Sequence, residues 1–249
     1  MSELATYRFI PGDEYTELPE DEEIWIIEPL VPQGGQVNIF SAPKTGKSYL
    51  GLGMALAVAN GDDNWLGFPV KQAGAVLYLQ ADTPKNLWRA RVRDLAYSGN
   101  DFSNVYFADP MTIPFPFDIF EGHGDVLKGM VDALPFKPIM IIIDTTREVH
   151  SEDENDSKVM RQVIGALRQA VGANVAIILI SHPRKGGGEH PGGAEGAAEG
   201  DSGDDLMTGN RGSGYVAGKM DTIIKLTRKY MHYQGRAVGK ERLRVKLTH

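Results

Sequence analysis

The sequence of 249 residues contains no cysteine. This absence excludes disulfide cross-links, thiolate nucleophiles and cysteine-ligated metal sites, and it is typical of proteins of the reducing cytoplasm. Apolar runs long enough to cross a bilayer are also missing, so we predict a protein without a membrane partner. The first residues, MSELATYRFIPGDE, lack a basic segment followed by an apolar one. We therefore expect no secretion signal and a cytoplasmic location.

Basic residues are scarce at the start of the chain and concentrated at its end. Residues 1–30 carry nine acidic residues against Arg8 alone, a net charge of −8, so the remaining residues carry about +1 of the total of −7. We interpret residues 1–24 as an acidic lead with little core. Residues 222–249 carry eight lysines and arginines and one acid. This basic end is suited to bind nucleic-acid phosphates or a neighbouring subunit's nucleotide, or it protects a hairpin edge.

A Gly-Lys-Ser sequence joins a predicted strand, residues 36–40, to a predicted helix, residues 46–60. In such a loop, backbone N–H groups and the positive end of the helix hold phosphates, Lys47 reaches the β- and γ-phosphates, and Ser48 offers a hydroxyl to Mg²⁺. The full pattern begins with glycine, and Ser41 takes that position here. The predicted nucleotide-binding residues are Ala42, Pro43, Lys44, Thr45, Gly46, Lys47, Ser48 and Tyr49.

The second half of the predicted site lies about a hundred residues further on. Residues 138–144 form a continuous apolar run that ends in Asp144, which is typical of a strand buried on both faces by helices. The carboxyl end of such a strand is where open α/β sheets bind ligands. Asp144 is therefore predicted to contribute to an Mg²⁺ site, and ATP with Mg²⁺ is the predicted ligand pair.

Strands and helices alternate along the rest of the chain, which predicts an α/β fold with a mainly parallel sheet covered on both faces. The further predicted strands are residues 75–79, 104–108 and 174–181. The predicted helices are residues 83–97, with Thr83 as N-cap and Pro84 at the first position, residues 124–134, and a helix capped by Asp156 or Ser157 and stopped by Gly172.

Five other segments complete the sequence-based prediction. Residues 64–70 and 109–120 are predicted loops, and residues 221–226 and 241–248 are predicted antiparallel closing strands around a polar turn. Residues 184–214 are rich in glycine and carry six acids. This composition buries too little surface to order itself, so we expect a mobile loop.

In order and spacing, these blocks resemble the RecA-like P-loop ATPases, and most closely the RepA-type branch of hexameric replicative helicases. The resemblance covers residues 25–249. It depends on LVPQG before the first strand, PKTGKS, WLGFPV with VLYL after it, IIIDTTR, DEND, Ser-His followed by Lys185, and RGS. A RecA-like core with a C-terminal antiparallel extension follows from the resemblance.

The resemblance also implies roles for single residues. Lys47 and Ser48 correspond to the phosphate and Mg²⁺ residues and Asp144 to the second-motif acid. His182 corresponds to the residue that senses the γ-phosphate and relays its presence to the loop behind it. Asp82 stands where this superfamily has a glutamate that polarises the attacking water. Its carboxylate is one methylene short, and a misplacement of about 1 Å costs on the order of a hundredfold in rate.

Oligomerisation and DNA binding are further implications of the resemblance. A site shared between subunits needs a cation from the neighbour, and the candidates are Arg211, Arg236, Lys240 and Arg242. The candidates for DNA contact are Arg184, Lys185 and Arg211, in a loop that has no aromatic residue for base stacking.

Three functional interpretations remain open at this point. The first is a single-stranded-DNA-dependent ATPase motor that works as a homo-oligomeric, hexameric ring with replication or recombination partners. The second is a recombinase or recombination mediator that forms filaments on DNA, with residues 1–24 as the subunit-docking arm. The third is a nucleotide-dependent switch without turnover, which Ser41 and Asp82 favour.

Overall fold

The computed structural model describes residues 11–17, 25–108, 117–153, 156–183 and 218–245. The elements are α1 (Gly12–Thr16), β1 (Trp25–Ile27), β2 (Val31–Pro32), β3 (Gln36–Phe40), α2 (Lys47–Asn60), β4 (Asn64–Trp65), β5 (Phe68–Pro69), β6 (Val76–Gln80), α3 (Lys85–Tyr97), β7 (Val105–Ala108), a π-helical turn (Ile119–His123), α4 (Gly124–Asp132), β8 (Met140–Asp144), a 3₁₀ turn (Thr146–Val149), α5 (Ser157–Val171), β9 (Ala176–Ser181), β10 (Thr222–Leu226), β11 (Tyr230–Gly235) and β12 (Glu241–Arg244). Within the described ranges, no helix combines the length and apolar character needed to cross a membrane.

An eight-stranded sheet organises the fold, in the order β12-β11-β10-β3-β9-β8-β6-β7. The strands from β10 to β7 pair in parallel, whereas β11 is antiparallel to both β10 and β12. This topology confirms the predicted α/β fold with a mostly parallel sheet and an antiparallel C-terminal extension. The consequence for function is that the carboxyl ends of six parallel strands open at one edge.

Helices cover both faces of the sheet because its central strands are apolar on both sides. On one face, Ile39, Tyr78 and Ile180 pack with residues of α2 and with Trp88 of α3. On the other face, residues of β8 and β9 such as Ile143 pack with α4 and with the apolar face of α5. Burial on both faces explains why these strands are continuous apolar runs in the sequence.

The antiparallel extension contains one strand more than predicted. The strand predicted at residues 221–226 is β10 (Thr222–Leu226), but it pairs in parallel with β3 as well as antiparallel with β11, which lies between β10 and β12. The strand predicted at residues 241–248 is β12, which ends at Arg244. In β11 only Met231 and His232 are buried, so the strand lacks the alternating apolar pattern that identifies strands in a sequence.

The predicted loop at residues 64–70 contains a small hairpin. Its strands, β4 and β5, are joined by Leu66 and Gly67, which have φ angles of 52° and 89°. Two positive φ angles in succession match the twist of a two-residue hairpin turn. Glycine adopts this conformation readily but leucine does so rarely, so the sequence signal for the turn is weak.

The predicted cap and stop of α5 are confirmed, whereas α4 ends at Asp132, two residues before its predicted end. The Asp156 side chain accepts a hydrogen bond of 2.7 Å from the Lys158 N–H, and Gly172 ends α5 with φ of 94°. At α3 the predicted Thr83 cap is wrong, because Pro84 is the N-cap residue, in an extended conformation and without a side-chain cap. Most of the acidic lead and the loop at residues 184–214 lie outside the described residues.

Asp118 joins two irregular segments beside the sheet. Its buried carboxylate accepts hydrogen bonds of 2.8 Å from the backbone N–H groups of Phe120 and Ser151. Burial raises the pKa of Asp118, but the hydrogen bonds from Ser151 and Phe120 and the proximity of His150 outweigh it, so the pKa lies below its usual value. The ionised carboxylate therefore stabilises this connection.

Asp118→Asn is expected to lower the free energy of unfolding by about 1–3 kcal/mol at neutral pH, since the amide cannot accept at both positions. A lowered folded-state pKa contributes stability above the unfolded pKa, about 3.9, that is lost as the pH falls through the folded value. The difference in the free energy of unfolding between the wild type and the variant should therefore persist from pH 7 to about pH 5 and become smaller below about pH 4. Urea titrations at several pH values measure it.

Asp132→Asn is the matched control, because Asp132 is an exposed partner of Lys128 on α4. Surface ion pairs contribute little to stability, so this variant should unfold with the wild type. If Asp118→Asn lowers the free energy of unfolding by the same amount at every pH, the negative charge of Asp118 does not stabilise the fold as proposed.

Candidate active site

The predicted site residues meet at the carboxyl edge of the parallel strands. A pocket of about 1090 Å³ opens there, between the loop after β3 and the ends of β6, β8 and β9. It is lined by Pro43, Lys44, Thr45, Gly46, Lys47, Ser48, Tyr49, Asp82, Thr83, Arg91, Asp144, Thr145, His182, Arg228, Lys229, Arg244 and Val245. The four predicted catalytic residues, Lys47, Asp82, Asp144 and His182, are all in this lining.

The loop between β3 and α2 is shaped by two left-handed residues, Lys44 with φ of 60° and Gly46 with φ of 96°. Ser41, which replaces the first glycine of the usual pattern, is not among the residues with positive φ. Its hydroxyl donates to the Ala42 carbonyl at 3.0 Å and contacts the Thr45 hydroxyl. A serine at this position is therefore compatible with the loop, and the departure from the pattern is sterically tolerated.

Lys47 is the buried cation of the pocket. Its ammonium donates to the carbonyl oxygens of Ser41 at 2.9 Å and Ala42 at 3.3 Å, and its Nζ lies 3.4 Å from Nδ1 of His182. Burial lowers the pKa of Lys47 to about 8, while Asp144 and Asp82 act in the opposite direction. The lysine thus stays largely charged at neutral pH, in a position suited to phosphate oxygens.

Asp144 lies at the end of β8, buried beneath the loop. Burial raises the pKa of this carboxyl group, although hydrogen bonds with the Ser48 side chain and with Tyr78 lower it in part. The Tyr78 hydroxyl donates to Oδ2 at 2.8 Å. Burial and Asp144 together raise the pKa of Tyr78 well above its usual value, so this hydroxyl remains a donor.

Tyr78 was missed by sequence reasoning, although a tyrosine inside a buried strand signals a hydroxyl that needs a partner. Tyr78→Phe is expected to cost about 1–3 kcal/mol of stability, because it removes a donor from a buried carboxylate. Tyr106→Phe, on the neighbouring strand and partly exposed, is the matched control. Denaturant unfolding of both variants measures the difference, and equal stability would contradict the assignment.

The residues present fit a magnesium ion that is held mainly by phosphate oxygens. Among the described residues, no group of three or more His, Cys, Asp or Glu side chains is arranged to bind a metal. Mg²⁺ usually keeps several waters and takes one or two protein ligands beside substrate phosphates. Within the described ranges, Oδ1 of Asp144 is buried without a hydrogen-bond partner. Ser48 and Asp144 therefore would hold the ion, as the sequence predicts.

Asp82 and His182 occupy the wall on the side of β6 and β9. Asp82 follows β6 by two residues and is exposed in the pocket, close enough to raise the pKa of Lys47. The Ala81 N–H donates to the Asp144 carbonyl at 2.8 Å, which fixes the backbone before Asp82. His182 directly follows β9. The arrangement brings a carboxylate and an imidazole to the region where a γ-phosphate would lie.

The residues predicted to act as cations on a neighbouring subunit's nucleotide lie in different parts of the fold. Arg236 pairs with Asp221 at 3.5 Å, beyond the end of β11 and at the edge of the sheet opposite the phosphate loop. Lys240 precedes β12 near that same edge, and Arg242 stacks on the Tyr230 ring at 5.2 Å. Arg211, Arg184 and Lys185 lie outside the described residues, so their roles remain predictions.

Four further cations of the pocket were not predicted as site residues of this chain: Arg91, Arg228, Lys229 and Arg244. Arg91 lies over the Tyr49 ring at 4.7 Å. The basic character of residues 222–249 was the available signal for the other three. It did not indicate their position, because that depends on the unpredicted β11 and its turn with β10.

Three features define a P-loop nucleotide-binding protein. They are a parallel sheet, a phosphate-binding loop after β3, and a buried acid at the end of β8, which is separated from β3 by one strand. A family model described as an AAA domain matches residues 11–188, which is more than half of the chain. The protein belongs to this family of P-loop ATPases. Members of this family generally bind and hydrolyse nucleotides, and they usually do so with a divalent metal.

Proposed function

We propose that the chain is a cytoplasmic, ATP-hydrolysing motor that depends on single-stranded DNA, of the RepA-like replicative helicase type, and that it works as a homo-hexameric ring. The observation that carries the proposal is the 3.4 Å contact between Lys47 Nζ and His182 Nδ1. His182 lies beside the lysine that we propose binds the β- and γ-phosphates, and it precedes Arg184 by two residues in the chain.

The positions of the protein groups in the pocket support the following proposed roles. Lys47 and the loop N–H groups bind and orient the phosphates. Asp82 accepts a proton from, or orients, the attacking water at the open side of the pocket. Mg²⁺, when bound, neutralises charge on phosphate oxygens. Tyr78 holds the carboxylate of Asp144 in place.

His182 is the proposed link between nucleotide state and DNA grip. A γ-phosphate would attract its imidazole away from Lys47, and hydrolysis would release it. After Pro183 the chain continues with Arg184 and Lys185, which are the proposed DNA contacts. An interaction of the γ-phosphate with a single group is a known way to switch the segment attached to it. This coupling favours a motor over a switch without turnover.

Unwinding of a forked DNA duplex, together with electron microscopy of the assemblies, tests the proposal. We expect ATP-dependent strand separation by closed rings, and its loss in His182→Ala with ATP binding retained. His123→Ala is a matched control, because His123 lies away from the pocket and accepts a hydrogen bond from the Asp118 N–H. It should leave strand separation intact. Open filaments on DNA without strand separation would contradict the helicase and support the recombinase alternative.

A further inference from the structure

We propose that Arg228 and Arg244 bind the α-phosphate side of the nucleotide that is held by their own chain. This inference rests on the proposed function, since it concerns the same pocket, but it assigns two binding residues that the proposed motor does not require.

The topology brings both arginines to the phosphate loop. Strand β10 runs parallel to β3 with Lys225 opposite Phe40, so Arg228 follows β10 at the edge where the loop follows β3. Strand β12 runs in the same direction as β10, and its Arg244 lies opposite Tyr230. The Val245 N–H donates to the Lys229 carbonyl at 2.9 Å. The end of β12 is therefore fixed against the turn that carries Arg228.

The two walls of the pocket differ in charge: both acids of the lining lie on one wall, together with Arg91 of α3, whereas the charged residues of the other wall are all cations. The sheet order places β9, β8 and β6 on one side of β3 and β10 to β12 on the other. Asp82 and Asp144 belong to the first wall, and both arginines belong to the second. The catalytic acids and His182 mark the position of the γ-phosphate on the first wall. The α-phosphate and the nucleoside must then extend toward the second wall.

The two guanidinium groups are available for this role. Both side chains are exposed in the pocket, and within the described part of the chain neither makes an ion pair. Arg236, by contrast, is held by Asp221 at the opposite edge. Guanidinium groups bind phosphate oxygens through two parallel hydrogen bonds. The chemical class recognised is therefore the polyphosphate of a nucleotide, irrespective of its base.

Steady-state kinetics and ADP affinity separate this role from action on the γ-phosphate. Groups that contact the α-phosphate bind the ground state and the transition state equally, so their loss raises KM without lowering kcat. We expect Arg228→Ala and Arg244→Ala each to raise the KM for ATP and the Kd for ADP by about tenfold, the effect of one charge-assisted contact. The affinity for GTP should fall by the same factor, and kcat should change less than about twofold.

Arg93→Ala is the matched control, since Arg93 is an exposed arginine of α3 outside the pocket lining. Its nucleotide affinities should equal those of the wild type, and Arg228→Lys should recover part of the lost affinity. A fall in kcat with unchanged ADP affinity would overturn the inference, as would unchanged affinity in both alanine variants. Stimulation of hydrolysis by single-stranded DNA is measured separately. If DNA does not stimulate hydrolysis, the proposed motor is wrong, but the expected differences in nucleotide affinity between variants and wild type remain the same.

Mixed assemblies distinguish the chain's own site from its neighbour's. Equal amounts of Lys47→Ala and Arg244→Ala chains are combined, and ATP hydrolysis is measured at an ATP concentration below the wild-type KM. If Arg244 serves its own chain, no site in the mixture has both residues, and the rate stays at the average of the two variants. A rate well above that average would overturn the inference, because it requires Arg244 to act on a neighbouring site.

Discussion

Lys47→Ala is expected to lower the rate of ATP hydrolysis by about a hundredfold to a thousandfold, the usual effect of removing one charge-stabilising donor from an active site. Lys47 is the buried cation of the pocket, and it already lies against Ser41, Ala42 and His182 at the base of the phosphate loop. The other two lysines of the pocket lining, Lys44 and Lys229, are exposed, and Lys47 is the one buried lysine among the described residues. Steady-state phosphate release measures the effect.

Lys128→Ala is the control for this prediction. Lys128 is an exposed lysine of α4 that pairs with Asp132, and its replacement should leave hydrolysis at the wild-type rate. Circular dichroism and unfolding curves establish that both variants are folded. Hydrolysis by folded Lys47→Ala within a few-fold of the wild type would show that this loop is not the site of the reaction.

Asp82→Glu is expected to increase kcat by about tenfold to a hundredfold, because the added methylene moves the carboxylate closer to the attacking water. Asp82 is exposed on the wall of the pocket and two residues after β6, so a longer side chain has room to extend. Asp82→Asn should do the reverse: it removes the proton acceptor and should lower kcat while ATP binding persists.

Single-turnover hydrolysis and ATP affinity of both Asp82 variants test this prediction, since single turnovers separate the chemical step from binding and release. Asp94→Glu, an exposed position of α3 outside the pocket lining, is the matched control and should not change the rate. Wild-type turnover by Asp82→Asn would exclude Asp82 as the group that activates water. Undetectable hydrolysis by the wild type and by both variants, with ATP still bound tightly, would instead favour a nucleotide-dependent switch.

The features of the fold that are local in sequence could be predicted. The segment from Gln36 to Ser48 combines an apolar run, a glycine and a helix start, and each signal depends on adjacent residues. The strand that ends in Asp144 and the helix capped by Asp156 are of the same kind. Their arrangement followed from the rule that ligands bind at the carboxyl ends of parallel strands.

The part that could not be predicted depends on contacts between distant segments. Strand β11 has few buried residues and becomes a strand only between β10 and β12, so its own sequence carries little signal. The position of Arg228 and Arg244 in the pocket depends on that strand. The hydrogen bond between Tyr78 and Asp144 joins residues 66 positions apart, and no periodicity in the sequence reports such a pair.

ATP hydrolysis measured with and without single-stranded DNA is the decisive experiment. The proposed motor couples the pocket around Lys47 to DNA through His182. It predicts that single-stranded DNA strongly stimulates the wild type, that Lys47→Ala shows no stimulated hydrolysis, and that His182→Ala hydrolyses ATP at a rate independent of DNA. A wild-type rate that DNA does not change, with ATP bound and hydrolysed normally, would contradict it.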